Sequence, residues 1–160
     1  MPLVFINEPR DEAYVDLLRF CQAQATHAAF ILQSSSPPVL DRVRHVLEPL
    51  RPYLVSIDQV SSWPGHRLGE HSRVERYLYP AQEEVIDVLV TAASGLFDWM
   101  NPKLPDDLHF LDGDAVVLGQ VAHEKLAWIG VARSKDENLP ASLAANVEER
   151  PIDGLDALGA

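Results

Sequence analysis

Two histidines and a glutamate lie close together in this sequence, in a stretch where such side chains could bind a metal ion or transfer a proton. His66, Glu70 and His71 belong to the segment SSWPGHRLGEHSRVERYLYP, residues 61–80. Imidazole nitrogens and carboxylate oxygens are common ligands of zinc and similar ions. The spacing is not that of H-E-x-x-H on a helix, and no CxxC or second histidine pair accompanies it. A small metal-dependent enzyme that uses His66, Glu70 and His71 together with His123 therefore stays an alternative hypothesis.

The other common catalytic motifs are absent. No G-x-S-x-G marks a hydrolase nucleophile, and no glycine-rich phosphate loop or dinucleotide fingerprint appears. Cys21 is the only cysteine and lies among apolar residues in LLRFCQAQA, where a thiol behaves as a small hydrophobic group. We therefore predict a protein that is not an enzyme and holds no cofactor or metal ion.

The charge of the chain points to the kind of partner. Asp and Glu number 24 against 13 Lys and Arg, which gives a formal net charge of -11. Such a surface repels nucleic-acid phosphates and anionic membranes, whereas it attracts a basic protein. No apolar run reaches the roughly 18 residues that a membrane helix needs. The N-terminal residues also lack the basic and apolar regions of a signal peptide. These features predict a cytoplasmic protein without nucleic-acid or membrane partners.

Hydrophobic periodicity predicts the elements that must position these side chains. Apolar residues at helical spacing indicate helices near 9–24 and 38–50, and a third helix that begins at Pro80. Apolar runs and alternation predict strands near 26–33, 53–60 and 73–80. The strand–helix–strand order over 26–60 is typical of a parallel pair joined by a right-handed crossover.

The C-terminal half favours antiparallel pairing. Asp112-Gly113 between two apolar runs is a strong hairpin signal, and a second turn at residues 123–125 extends it to three strands near 108–112, 115–122 and 126–132. We predict a single α+β domain over residues 1–132, with a mixed, mainly antiparallel sheet and about three helices. Residues 133–160 lose the periodicity and predict a flexible acidic tail.

One segment combines acidic and aromatic residues. Residues 98–114, DWMNPKLPDDLHFLDGD, contain five aspartates and one lysine together with Trp99 and Phe110. Aromatic residues within an acidic, proline-containing loop can form a protein-binding face. The alternative is that the aromatic side chains pack in the core while the aspartates are turn residues.

The order of these segments resembles a family of small bacterial proteins. The shared elements are W-P-G-x-x-L, then G-L-[YF]-D-W-x-x-P-x-L-P-[ED]-D-L, then a late H-E, and they cover roughly residues 55–132. Here they read SSWPGHRL, GLFDWMNPKLPDDL and AHEK. Asp106 stands where glutamate is common, and His66 stands where a small polar residue is usual. Because proteins of this type are commonly encoded beside bacterial toxins, the resemblance implies an immunity protein.

We therefore expect an antitoxin that binds a cognate, basic bacterial toxin and blocks its active site. An adaptor subunit of another complex is a further alternative, which shares the same surface. The residues expected to contact the partner are Asp98, Trp99, Asp106, Asp107, Asp112 and Asp114, followed by Trp63, His66, Glu70, His71 and Glu124.

Overall fold

The computed structural model describes residues 1–130 and 139–153. The helices in this part are α1 (Glu12–Gln24), α2 (Pro37–Leu50), α3 (Glu83–Ala92) and the short α4 (Ala141–Ala144). The strands are β1 (Leu3–Phe5), β2 (His27–Leu32), β3 (Ser56–Val60), β4 (Ser62–Trp63), β5 (His66–Arg67), β6 (Val74–Pro80), β7 (Asp106–Asp112), β8 (Ala115–Val121), β9 (Leu126–Ile129) and β10 (Val147–Glu149).

Eight of these strands form one sheet, in the order β10-β1-β9-β8-β7-β2-β6-β3, and β4 and β5 form a separate hairpin. Every pairing between the described strands is antiparallel. The predicted class, a single α+β domain with a mainly antiparallel sheet, is confirmed. Among the described residues, no helix is long and apolar enough to cross a membrane.

The predicted parallel pair of β2 and β3 is wrong. Both strands pair antiparallel with β6, which lies between them, so they run in the same direction without contacting each other. The connection through α2 therefore spans two strand positions. Helical and strand periodicity cannot reveal that a strand later in the chain inserts between two earlier ones, because insertion depends on packing across the whole sheet.

The three longer helices cover one face of the sheet, where the main core lies. Phe30 on β2 is fully buried at its centre. Its ring centroid lies 5.7 Å from that of Tyr77, 5.3 Å from Tyr79 and 5.9 Å from Trp99. These contacts join two neighbouring strands to the loop that precedes β7, and such aromatic pairs stabilise a core beyond the area that they bury.

Two local predictions differ in their outcome. The hairpin at Asp112-Gly113 is confirmed, since Gly113 joins β7 to β8 with a positive φ of 60°, a conformation that glycine adopts easily. The third helix begins at Glu83 and not at Pro80, which instead ends β6 opposite His27. Proline suits a strand end as well as a helix start, and the pairing with β2 decides between them.

Part of the predicted C-terminal tail is folded. Strand β10 pairs with β1, and α4 places Leu143, which is fully buried, in the main core. Residues 131–138 and 154–160 lie outside the described residues, so the predicted flexibility of the tail is not addressed there. The domain therefore extends beyond residue 132. The sequence did not predict this folding, because α4 and β10 pack against α1 and β1 at the other end of the chain.

Substitution of Leu143 tests this docking. We expect Leu143→Ala to lower the free energy of unfolding by about 2–4 kcal/mol, because it removes a buried side chain from the core. Chemical denaturation measures the change, with Ile6→Ala, at a position that is 57% exposed, as the control. Equal, small effects of the two substitutions would contradict the docking of residues 139–153.

Candidate functional site

The buried carboxylate of Asp107 lies at the centre of a polar cluster on the sheet face opposite the helices. Its residue is only 3% exposed, and its backbone has a positive φ of 55° near the start of β7. The indole Nε1 of Trp63 donates to Oδ2 at 2.9 Å, and the amide of Ala122 donates to Oδ1 at 3.0 Å. Nε2 of His66 lies 3.1 Å from Oδ2, although without the alignment of a hydrogen bond. One carboxylate thus connects three separate segments.

The β4–β5 hairpin carries two of these partners and rests directly on the sheet. Gly65 turns the hairpin with a φ of +84°, and a Cβ atom there would lie 2.5 Å from the Cγ2 atom of Val121. The Trp63 and His66 rings stack with centroids 4.6 Å apart, and the His66 ring lies 5.5 Å from that of His123. The W-P-G sequence is therefore a corner that packs Trp63 against the sheet, with His66 at its open side.

The electrostatics of the cluster favour a charged Asp107. Burial acts to raise the pKa of this carboxyl, but its interactions with His66, the Ala122 amide and Trp63 outweigh burial, and its pKa is lowered below the ordinary value. Both carboxylate oxygens are engaged by groups that hold the fold together. The arrangement anchors the hairpin, and it presents only the edge of His66, whose side chain is 23% exposed, toward solvent.

The neighbouring Asp106 has the opposite tendency. Burial raises the pKa of its carboxyl, against the lowering effect of hydrogen bonds from the Asn101 amide and the Gln33 side chain. These bonds measure 2.8 and 2.9 Å. Asp106 therefore closes the loop that precedes β7, and its side chain belongs to the fold and not to the surface.

Asp98 and Trp99 both make contacts within the fold. Trp99 is fully buried and its Nε1 donates to the hydroxyl of Tyr14 at 2.9 Å. Asp98 accepts hydrogen bonds from the amides of Ser94 and Gly95 and lies 3.3 Å from Arg10. Of the expected contact residues, four are buried and build the fold: Trp63, Trp99, Asp106 and Asp107.

The remaining predicted contact residues lie nearer the surface, and several share one region. Asp114, at the β7–β8 turn, and Trp63 line the same cleft. His123 and the exposed Glu124 form a short 3-10 turn beside His66. Glu70 and His71 are exposed in the turn that follows the hairpin, and Asp112 is half-buried beside Asp114. These residues surround the hairpin, whereas Asp98 lies apart from them beside Arg10.

The ligands of the alternative metal-enzyme hypothesis do not come together in the described residues. Within residues 1–130 and 139–153, no group of three or more His, Cys, Asp or Glu side chains is placed to hold a metal ion. His66 is next to His123 and Asp107, while His71 lies in the exposed turn. The metal-enzyme hypothesis therefore lacks a ligand set in this part of the chain.

Two residues of this face, His109 and Arg76, were not among the predicted site residues. His109 is fully buried, with Nδ1 donating to the carbonyl of Asp107 at 2.8 Å, and its Nε2 has no hydrogen-bond partner among the described residues. Arg76, on β6, lines a cleft of about 340 Å³ beneath the hairpin. Alternation with the buried Tyr77 and Tyr79 would have placed Arg76 on the face away from the helices.

A larger groove of about 840 Å³ lies on another side of the molecule, between α2, the end of α3 and residues 100–104. Its lining includes Phe97 and Met100, with Arg42 and Lys103 among the charged residues. The groove contains none of the hairpin residues, so the Asp107 cluster is a separate feature.

Comparisons with protein-family models, curated proteins and solved structures find no match to this chain.

Neutralising Asp107 should loosen the hairpin. Asp107→Asn keeps the shape and tolerates the positive φ, but its NH2 group must face one of the two donors, either the Trp63 indole or the Ala122 amide. We expect a loss of about 2–3 kcal/mol in the free energy of unfolding and faster amide exchange in residues 61–68. Because the pKa of Asp107 is lowered by folding, its stabilisation is present above the unfolded pKa and lost as the pH falls through the folded pKa. The variant should lack that acid-dependent loss.

The exposed Asp114 provides the control for this substitution. Asp114→Asn removes a carboxylate near the same cleft and should change stability by no more than about 0.5 kcal/mol. Similar effects of both variants in chemical denaturation would show that Asp107 does not anchor the hairpin.

His109 should make the fold sensitive to mild acid. Burial lowers the pKa of His109 to about 4, whereas in the unfolded chain it has its ordinary value near 6.5. Between these two values His109 is protonated in the unfolded state but not in the folded state. The free energy of unfolding therefore falls as the pH decreases from about 6.5 toward 4. Between pH 7 and 5 this single group accounts for a loss on the order of 2 kcal/mol.

Denaturation curves at both pH values test this assignment. His109→Gln should remove most of the loss between pH 7 and 5, and the control His71→Gln, at an exposed position, should retain it. An unchanged pH dependence in His109→Gln would assign the acid sensitivity to another group.

Proposed function

We propose that this protein is an immunity protein that binds and neutralises a cognate bacterial toxin through the hairpin face. This face comprises the β4–β5 hairpin, the turn at 112–114, the turn at 122–124 and the turn at 69–72. The observation that carries the proposal is that the three turns, which include exposed Glu70, Asp114 and Glu124, surround one anchored hairpin.

The hairpin face is both pre-organised and acidic. Because Asp107 holds Trp63 and the 122–124 turn in place, little order has to be gained on binding, and pre-organisation of this kind raises affinity. The exposed carboxylates, within a chain of net charge -11, accelerate encounter with a basic protein. A basic surface is typical of enzymes that act on nucleic acids, so a nuclease-type toxin fits this charge.

Growth rescue tests the biological role. Each gene that flanks this one is expressed in a sensitive bacterium, with and without this protein, and colonies are counted. We expect one neighbour to kill and this protein to restore growth. If no neighbour is toxic, or if killing continues while this protein is well expressed, the immunity assignment is wrong.

The hairpin face is tested with purified partner and charge variants. The triple variant Glu70→Gln, Asp114→Asn, Glu124→Gln should slow association about tenfold at low salt, and raising the salt from about 0.05 to 0.5 M should remove most of that difference. The matched control is Asp41→Asn, Glu48→Gln, Glu84→Gln, at exposed positions on α2 and α3. Equal slowing by the control would mean that overall charge, and not this face, guides binding.

A further inference from the structure

A cleft of about 340 Å³ separates the β4–β5 hairpin from the open face of the sheet. Leu78, Leu111 and Val116 provide its apolar surface, and Trp63 and Pro64 form the wall on the hairpin side. Its volume falls at the lower end of the range of small-molecule sites, about 300–1,000 Å³. The space suits a small molecule with an apolar body.

Arg76 is the cationic group of this cleft. It extends from β6, and its Nε atom is buried without a hydrogen-bond partner among the described residues. No carboxylate in that part of the chain lies within ion-pair distance of its guanidinium. Its cross-strand neighbour Asp58 instead accepts a hydrogen bond from the Ser56 hydroxyl at 2.8 Å. An arginine without a counter-ion is unusual in a protein whose acids outnumber its bases by 24 to 13.

A buried histidine, His109, lies in the sheet near Arg76. On the intervening strand β2, Ala29 pairs with His109 and Ile31 pairs with Arg76. Arg76 is one of the groups that disfavour protonation of His109, so the guanidinium and the imidazole are close enough to interact. The imidazole therefore provides no negative charge that could pair with the guanidinium. A desolvated cation of this kind is costly unless an anion or dipole faces it.

We propose that this cleft binds a small carboxylate with an apolar body, whose carboxylate pairs with the guanidinium of Arg76 and whose body packs against Trp63 and Pro64. The two terminal Nη groups of the guanidinium can donate to both oxygens of a carboxylate in a two-point contact. Asp114 at the rim, together with the acidic surface, disfavours a doubly charged phosphate more than a singly charged carboxylate. This site goes beyond the proposed immunity role, since the ligand binds without any protein partner.

Titration of the wild-type protein with three probes tests the chemistry. Benzoate carries the carboxylate and an apolar ring, benzamide has the same shape without the charge, and inorganic phosphate has the charge without the ring. In 15N-labelled protein, we expect benzoate to shift the Arg76 Nε–H resonance and the amides of Leu78 and Gly113 in a saturable manner. Benzamide should bind at least tenfold more weakly, as should phosphate.

Two variants test whether the guanidinium of Arg76 binds the carboxylate of benzoate. Arg76→Lys keeps the charge but loses the two-point contact, so benzoate affinity measured on the amides should fall at least tenfold. Arg44→Lys, at an exposed position on α2, should leave it unchanged. Binding that is unaffected by Arg76→Lys overturns the assignment, as does equal binding of benzoate and benzamide. No saturable shift in wild type, or tighter binding of phosphate, overturns the carboxylate class. Because the probes need no partner, these outcomes are independent of the growth-rescue result.

Discussion

The face opposite the helices depends on the buried carboxylate of Asp107. One side chain accepts hydrogen bonds from Trp63 and from the Ala122 amide and lies beside His66, so that a hairpin, a strand and a turn share one anchor. These segments are separated by 44 and 15 residues in the chain. Their stabilising interactions outweigh the cost of burying the charge, which is why the pKa of this carboxyl lies below its ordinary value. Without the anchor, the corner of the hairpin at Gly65 would have only packing contacts to hold it on the sheet.

The acidic motif of residues 98–107 serves mainly to build the fold. Asp98, Asp106 and Asp107 each accept hydrogen bonds from backbone amides, which would otherwise be partly buried without partners. The segments SSWPGHRL, GLFDWMNPKLPDDL and AHEK are thereby joined at one point. The aspartates of this motif therefore serve mainly as hydrogen-bond acceptors for backbone amides. The acidic surface is provided by other residues such as Glu70, Asp114 and Glu124.

The two faces of the sheet differ in the residues that they carry. The helix-covered face holds the large aromatic core around Phe30, and the hairpin-covered face combines a smaller apolar cluster with charged groups and a cleft. The partner-binding surface and the ligand cleft that we propose both lie on the second face and use different residues. Exposed carboxylates would meet a basic protein, while Arg76 lies deeper in the cleft and suits a single anionic group. Occupation of that cleft would add contacts between the hairpin and the sheet.

Local patterns in the sequence determined the three longer helices, the hairpin at Asp112-Gly113, the three-stranded meander and the α+β class, because side-chain periodicity and turn chemistry act over a few residues. The tertiary structure decided the insertion of β6 between β2 and β3, the return of β10 to β1 and the burial of Asp107. It also placed Arg76 and His109 on the two strands that flank β2. Each of these depends on contacts between residues far apart in the chain, whose pairing follows from packing over the whole sheet and leaves no periodic signal in the sequence.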